Sequence, residues 1–179
     1  MDALTLVIIV VVVVIAAAIA VWLGMRQRRR VALRQTFGPE YDRTVEDRGD
    51  ARAAERELID RRERRERLDI RPLAPDARQR YAEAWRLVQE RFVDRPAESV
   101  QDADRLVQQV MADRGYPIED FEQRAADISV DHPELVENYR SAHAVAARGD
   151  GGASTEDLRR AMVHYRSLFN ELLGAGGRP

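Results

Sequence analysis

The sequence predicts an all-α protein: an N-terminal transmembrane helix, a charged juxtamembrane helix, and a small bundle of about five helices. Three observations predict it. Residues 4–23 form a twenty-residue run without a charge. Downstream, apolar residues recur at three- and four-residue spacing between prolines and glycines, the period of one helix face. No segment sustains period-two alternation, so no sheet is expected. The segments read as 1–25 for the anchor, 26–71 for a basic spacer and 72–179 for a soluble bundle.

At 1.5 Å rise per residue, twenty residues reach about 30 Å, the thickness of a bilayer's hydrocarbon core. The valines at 10–14 would favour strand in water. In lipid a lone segment must satisfy its own backbone hydrogen bonds, so it is a helix. Fourteen of the twenty residues are Leu, Ile or Val. At about −0.3 to −0.6 kcal/mol each near mid-bilayer, they favour insertion by several kcal/mol. Trp22 closes the run, and Arg26, Arg28, Arg29, Arg30 and Arg34 follow it as interface residues. A cleaved signal peptide is the rival reading, because Ala18-Ile19-Ala20 has the small-x-small form of a cleavage site. The start Met1-Asp2-Ala3 lacks the positive charge of such a signal. With arginines only on the far side, the positive-inside rule predicts a cell-membrane anchor, N-terminus outside and body cytoplasmic.

The chain has no lysine; residues 24–71 hold 15 arginines against 11 acids, residues 72–179 hold 14 against 19. The membrane-proximal third is thus basic and the distal body acidic. The first five arginines can meet anionic headgroups at about 1 kcal/mol each, or serve as a topology signal alone. Between Gly38-Pro39 and Leu68 the chain is dense in charge, with Glu57–Arg61, Asp60–Arg64 and Glu63–Arg67 at helical ion-pair spacing. Ala51, Ala54, Leu58 and Ile59 make only a weak stripe. These features predict a largely solvated helix, interrupted near Gly49. Interleaved acids and the lack of nearby aromatics argue against nucleic acid as a partner of the run at 61–67.

Pro72 and Pro75 end the charged helix. A first bundle helix, about 76–93, aligns Tyr81, Trp85, Val88 and Phe92. Pro96 opens a second with Val100, Ala103, Leu106, Val107, Val110 and Met111, closed by Gly115. Pro117 is expected to open a third with Ile118, Phe121, Ala125 and Ile128. Asp131 as N-cap and Pro133 as an early position are expected to start a fourth, with Leu135, Val136, Tyr139, Ala142 and Ala146 inward. After a glycine loop at 149–152, Ser154 and Asp157 form a capping box. The fifth helix carries Leu158, Ala161, Met162, Tyr165, Leu168, Phe169, Leu172 and Leu173, and Gly174 stops it.

Candidate chemistry is sparse. Zero cysteines exclude disulfides, thiol catalysis and thiolate zinc sites, and a net charge of −2 is far from that of a dedicated nucleic-acid binder. His132, His143 and His164 lack any metal-ligand spacing; Glu134 and Glu137 beside His132 would be half of a carboxylate site with no second half. Ser129 and Ser141 have no triad partners, the glycine loop has neither phosphate-loop nor calcium-loop spacing, and acids at 119–122 fit a helix first turn. No cofactor, catalytic residue or metal ligand is assigned. Weak pocket candidates are His132, His143, His164, Tyr139 and Tyr165.

Residues 37–41 (Phe-Gly-Pro-Glu-Tyr), 68–73 (Leu-Asp-Ile-Arg-Pro-Leu), 114–117 (Arg-Gly-Tyr-Pro), 129–133 (Ser-Val-Asp-His-Pro) and 161–166 (Ala-Met-Val-His-Tyr-Arg) carry a likeness. With the order anchor, charged helix, proline break and compact helices, the chain resembles a group of uncharacterised bacterial single-pass membrane proteins. That resemblance implies no activity. The opening is also similar to the peripheral-stalk subunit of ATP synthases, but Pro72, Pro75, Pro96, Pro117 and Pro133 forbid its long coiled coil. The expected function is a membrane-tethered interaction or scaffolding module, with the lipid bilayer and a protein partner or second copy as its contacts. The alternative is a ligand-binding or enzymatic domain, which requires at least two of the histidines to converge. A third reading, an exported body, follows if Ala18-Ile19-Ala20 is cut.

Overall fold

A computed structural model describes residues 3–149 and 152–174, which form eight α-helices and no strand. Met1, Asp2 and the Asp150-Gly151 portion of the glycine loop lie outside the described residues. The all-α prediction therefore holds, with five helices after the spacer.

Helix α1 (Ala3–Phe37) runs unbroken from the apolar stretch into the arginine-rich segment. It is long and apolar enough to cross a membrane, and none of its apolar window is buried against the rest of the protein. Gly38 ends α1 at φ +48°, a backbone conformation that a side chain resists, and Pro39 takes the first position of α2 (Pro39–Arg48). Helix α3 (Ala51–Glu66) is capped by Asp50, whose carboxylate accepts the Ala53 N–H at 3.0 Å.

The spacer is not a solvated helix. Helix α2 folds back along α1, with Arg34 on Asp42 at 3.2 Å, and α3 turns again to run in the direction of α1. The two turns bring Leu33, Phe37, Tyr41 and Leu58 into one buried cluster, against which Val45, Ile59 and Val130 pack. Phe37, Tyr41, Ala54 and Leu58 have no exposed surface. The apolar stripe within α3 is weak because its counterpart comes from α1 and α2. Of the expected helical pairs, Glu57–Arg61 forms; among the described residues Asp60–Arg64 and Glu63–Arg67 do not, and Arg64 reaches Asp127 of the body at 3.1 Å instead.

The body comprises α4 (Pro75–Arg91), α5 (Pro96–Arg114), α6 (Phe121–Asp131), α7 (Val136–Ala146) and α8 (Thr155–Gly174). Helix α5 packs against α4, α7 and α8, while α6 packs on α3, α1 and α7 and so joins the body to the spacer. Trp85 of α4 stacks on Phe169 of α8 with centroids 4.6 Å apart, and Val100, Val107, Met111, Leu168 and Leu172 fill the space around them. Each large side chain buried this way contributes about 1.5–3 kcal/mol. The linker at 67–74 is stapled to the body: Arg71 N–H donates to the Arg114 carbonyl at 2.8 Å.

Two helix starts differ from expectation. Helix α6 begins at Phe121, not Pro117, because the Asp120 carboxylate accepts the Gln123 N–H at 2.7 Å and caps the chain there. Asp131 does not cap the next helix; it is the last residue of α6, and α7 begins at Val136. The capping box at α8 forms in both directions. Ser154 Oγ accepts the Asp157 N–H at 3.1 Å, and the Asp157 carboxylate accepts the Ser154 N–H at 3.2 Å.

Candidate functional site

Three polar groupings stand out: one inside the body, one where the spacer meets the body, and one beside the apolar end of α1.

Inside the body, Asp104 of α5 is the centre. Its Oδ1 accepts the Tyr165 hydroxyl of α8 at 2.8 Å and lies 3.2 Å from His143 Nδ1 of α7. Its Oδ2 accepts the Gln108 side-chain amide at 2.6 Å. Burial pushes the Asp104 carboxyl up, but the hydrogen bonds from His143 and Tyr165 outweigh it and the net direction is down. Asp104 is therefore an anion that only accepts, and His143 Nδ1 donates to it. Tyr139 completes the group: it accepts from Arg124 Nε at 3.1 Å and meets Tyr165 edge-on at 6.3 Å. Burial pushes its hydroxyl up to about 12. The His143 ring stacks on Phe121 at 3.7 Å.

Of the weak pocket candidates, the structure thus brings together His143, Tyr139 and Tyr165. It leaves the other two histidines apart. His132 is buried at the end of α6, 3.6 Å from Glu171, and its Nδ1 has no hydrogen-bond partner. Burial lowers its pKa. His164 sits half-buried on α8, lowered first by burial and then by Arg160. Both oxygens of Asp104 are occupied, and Tyr139 and Tyr165 are sealed from solvent. The cluster sets the mutual register of α5, α7 and α8. Among the described residues no three His, Cys, Asp or Glu side chains gather as a metal site.

At the second grouping, Glu40 of α2 is buried between two arginines. Arg140 of α7 grips both of its oxygens at 2.7 Å, and Arg61 of α3 donates to Oε1 at 2.8 Å. Burial pushes the Glu40 carboxyl up, but hydrogen bonds and charge from Arg140 and then Arg61 carry it down overall. Beside it, Arg43 meets Glu137 at 3.0 Å. Arg65 donates to Asp131, which also accepts the Tyr116 hydroxyl. These contacts span up to a hundred residues of sequence. No local pattern marks Arg140, Asp104 or Arg124, and Glu40, although it lies in the 37–41 segment, shows there no sign of its partners Arg61 and Arg140.

No family model, curated protein or solved structure matches this chain. Its own geometry carries the functional reading.

The third grouping divides the predicted interface residues. Trp22 is exposed, with the Arg26 guanidinium 5.6 Å from its ring centroid, and Arg28 and Arg29 are exposed as well. Arg30 and Arg34 remain at the surface but are engaged by groups of the spacer. Arg30 Nε donates to the Tyr41 hydroxyl at 3.1 Å and lies 3.2 Å from Glu55. Arg34 lies over the Tyr41 ring at 5.0 Å and pairs with Asp42. Between α1 and α3 a hollow of about 280 Å³ is lined by Trp22, Arg26, Arg29, Arg52, Arg56 and neighbouring apolar side chains.

Proposed function

We propose that this is a single-pass membrane protein whose spacer holds a cytoplasmic helical body at a set distance from the bilayer, for contact with a protein partner or a second copy. The observation that carries this reading is the continuity of α1. The helix passes from its apolar stretch into the Leu33–Phe37–Tyr41–Leu58 cluster without a break, and Glu40 then ties α2 and α3 to α7. A body mounted in this way is presented by a brace, not a flexible leash. Tethering raises the effective concentration of whatever it binds. The arginines past Trp22 support an inside-facing body.

Topology and association test the two halves of the proposal. The chain contains no cysteine, so Gln79→Cys on the exposed side of α4 gives one thiol. A membrane-impermeant maleimide is expected to label it only after cell lysis. Labelling in intact cells overturns the cytoplasmic placement, and N-terminal sequencing then shows whether the segment is cut at Ala18-Ile19-Ala20. Cross-linking of the full chain in its native membrane is expected to give a dimer or a defined heterocomplex; monomer alone overturns the interaction reading.

A further inference from the structure

We propose that the hollow between α1 and α3 binds the phosphate of an anionic lipid headgroup. The inference rests on α1 spanning a membrane. Four guanidiniums line the hollow: Arg26 and Arg29 from α1, Arg52 and Arg56 from α3. Among the described residues none of the four lies within 4.0 Å of a carboxylate, whereas most arginines of the spacer and body are paired. The single acid in the lining, Glu55, is already engaged by Arg30 and by the Tyr41 hydroxyl. Asp50, the cap of α3, is close enough to feel Arg52 and Arg56, but four guanidiniums still outnumber the nearby carboxylates, so the hollow keeps a net positive charge.

Its depth matches a headgroup. Along α1, Arg26 and Arg29 lie about 4 to 9 Å past Leu23, the last residue of the uncharged run, and the headgroup layer begins there. Folding back of α2 returns the start of α3 to this level, which places Arg52 and Arg56 beside Arg26 and Arg29. Guanidiniums from two helices can fork onto the oxygens of one phosphate. The lining also includes Met25, Leu33 and Ile59, an apolar wall suited to the glyceride portion that a soluble phosphate ester lacks. Arg30 and Arg34 are paired within the spacer, while Arg26 and Arg29 of the same run join Arg52 and Arg56 of α3 in this set.

The test uses the full chain, purified in neutral detergent, with native mass spectrometry of bound lipid. Phosphatidylglycerol and phosphatidylcholine are supplied in equal amounts. Wild type is expected to retain phosphatidylglycerol preferentially. Arg52→Gln/Arg56→Gln is expected to weaken that retention about thirtyfold, each arginine near an anionic surface counting for roughly a fivefold change. Arg78→Gln/Arg166→Gln, on exposed unpaired arginines of the body, changes net charge equally and is expected to leave it intact. Equal retention by wild type and the α3 variant overturns the proposal, as does equal loss in the body variant. Complete displacement of lipid by millimolar inorganic phosphate overturns the lipid assignment in favour of a free phosphate ester. Circular dichroism checks that the α3 variant is folded; if it is not, Arg56→Gln alone carries the test with about a fivefold loss expected. Alkaline carbonate extraction separates the two readings: a chain washed off membranes sinks the anchor itself, whereas a retained chain without lipid preference sinks only this site.

Discussion

The spacer and the body solve the same packing problem with opposite materials. In the body, α4, α5, α7 and α8 close over a continuous apolar core centred on Trp85, Met111, Leu168 and Phe169. In the spacer, α2 and α3 share only a small cluster with the end of α1, which Val130 of α6 touches, and the polar contacts that reach the body are ionic: Glu40 with Arg140, Arg64 with Asp127, Arg65 with Asp131. Apolar burial is non-directional and supplies stability. A buried ion pair loses most of its Coulombic gain to desolvation, but breaking one leaves an uncompensated charge, so only one docking pose is tolerated. The body is built to stay folded, and the spacer is built to sit in one place on it.

Substitutions should separate these roles. The largest effect is expected for Phe169→Ala, which removes the ring stacked on Trp85 and should cost about 3–5 kcal/mol in urea unfolding of the full chain. Nearly as large, Glu40→Ala removes both hydrogen bonds of Arg140, leaving it only Glu137 at 3.9 Å, while Arg61 keeps Glu57; it should cost about 3 kcal/mol. Its signature differs: amide exchange should rise in α2 and α3 and stay slow in α5 and α8. Uniform acceleration across the chain would show that spacer and body unfold together and erase the contrast. Gly115→Ala should follow at about 2 kcal/mol, because Gly115 sits at φ +100° and an added Cβ would lie 2.5 Å from the Asp69 carbonyl oxygen. Ser154→Ala, which removes half of the α8 capping box, should lower Tm by about 2–4 °C.

Acid should act in two pH ranges, the higher one in the body alone and the lower one in body and spacer together. His132 is held below its ordinary value of 6.5, chiefly by burial, so it stays neutral in the fold while the unfolded chain takes up a proton. Stability from this group is full above pH 6.5 and falls as the pH drops below it. Glu40 and Asp104 are held below their ordinary values of 4.5 and 3.8; their contributions are present above those values and are lost as the pH falls through the folded pKa of each. Urea midpoints measured from pH 7.5 to 3 should therefore decline in two stages. His132→Phe should shrink the first stage, leaving the part due to His164, which is also held below 6.5, and should leave the second intact.

Legibility followed the range of the interactions. Helices α4, α5 and α8 were readable because proline, glycine and a strong apolar stripe act within a few residues, as at Pro96, Gly115 and Ser154. For α6 the sequence offers a beginning at both Pro117 and Asp120, and the side-chain bond to Gln123 decides between them. Asp131 looked like a cap and instead serves Arg65 and Tyr116. In the spacer, Arg64 had an acid at helical spacing and took Asp127, a partner 63 residues away. A charge-rich segment offers many local pairs of nearly equal energy, so long-range geometry selects among them.

By itself, then, the sequence determined the helical class, the apolar N-terminal run, the absence of thiol chemistry and the inward faces of α4, α5, α7 and α8, since periodicity, composition and capping are local properties; on α6, Ile118 lies outside the helix and exposed, and Arg124 and Asp127 are buried instead. Only the tertiary structure decided that the spacer folds back on α1, that Glu40 is its pin, and that four arginines from two helices line one hollow. Those facts depend on which distant side chains meet, and a repeating pattern of Arg and Glu carries no record of that choice.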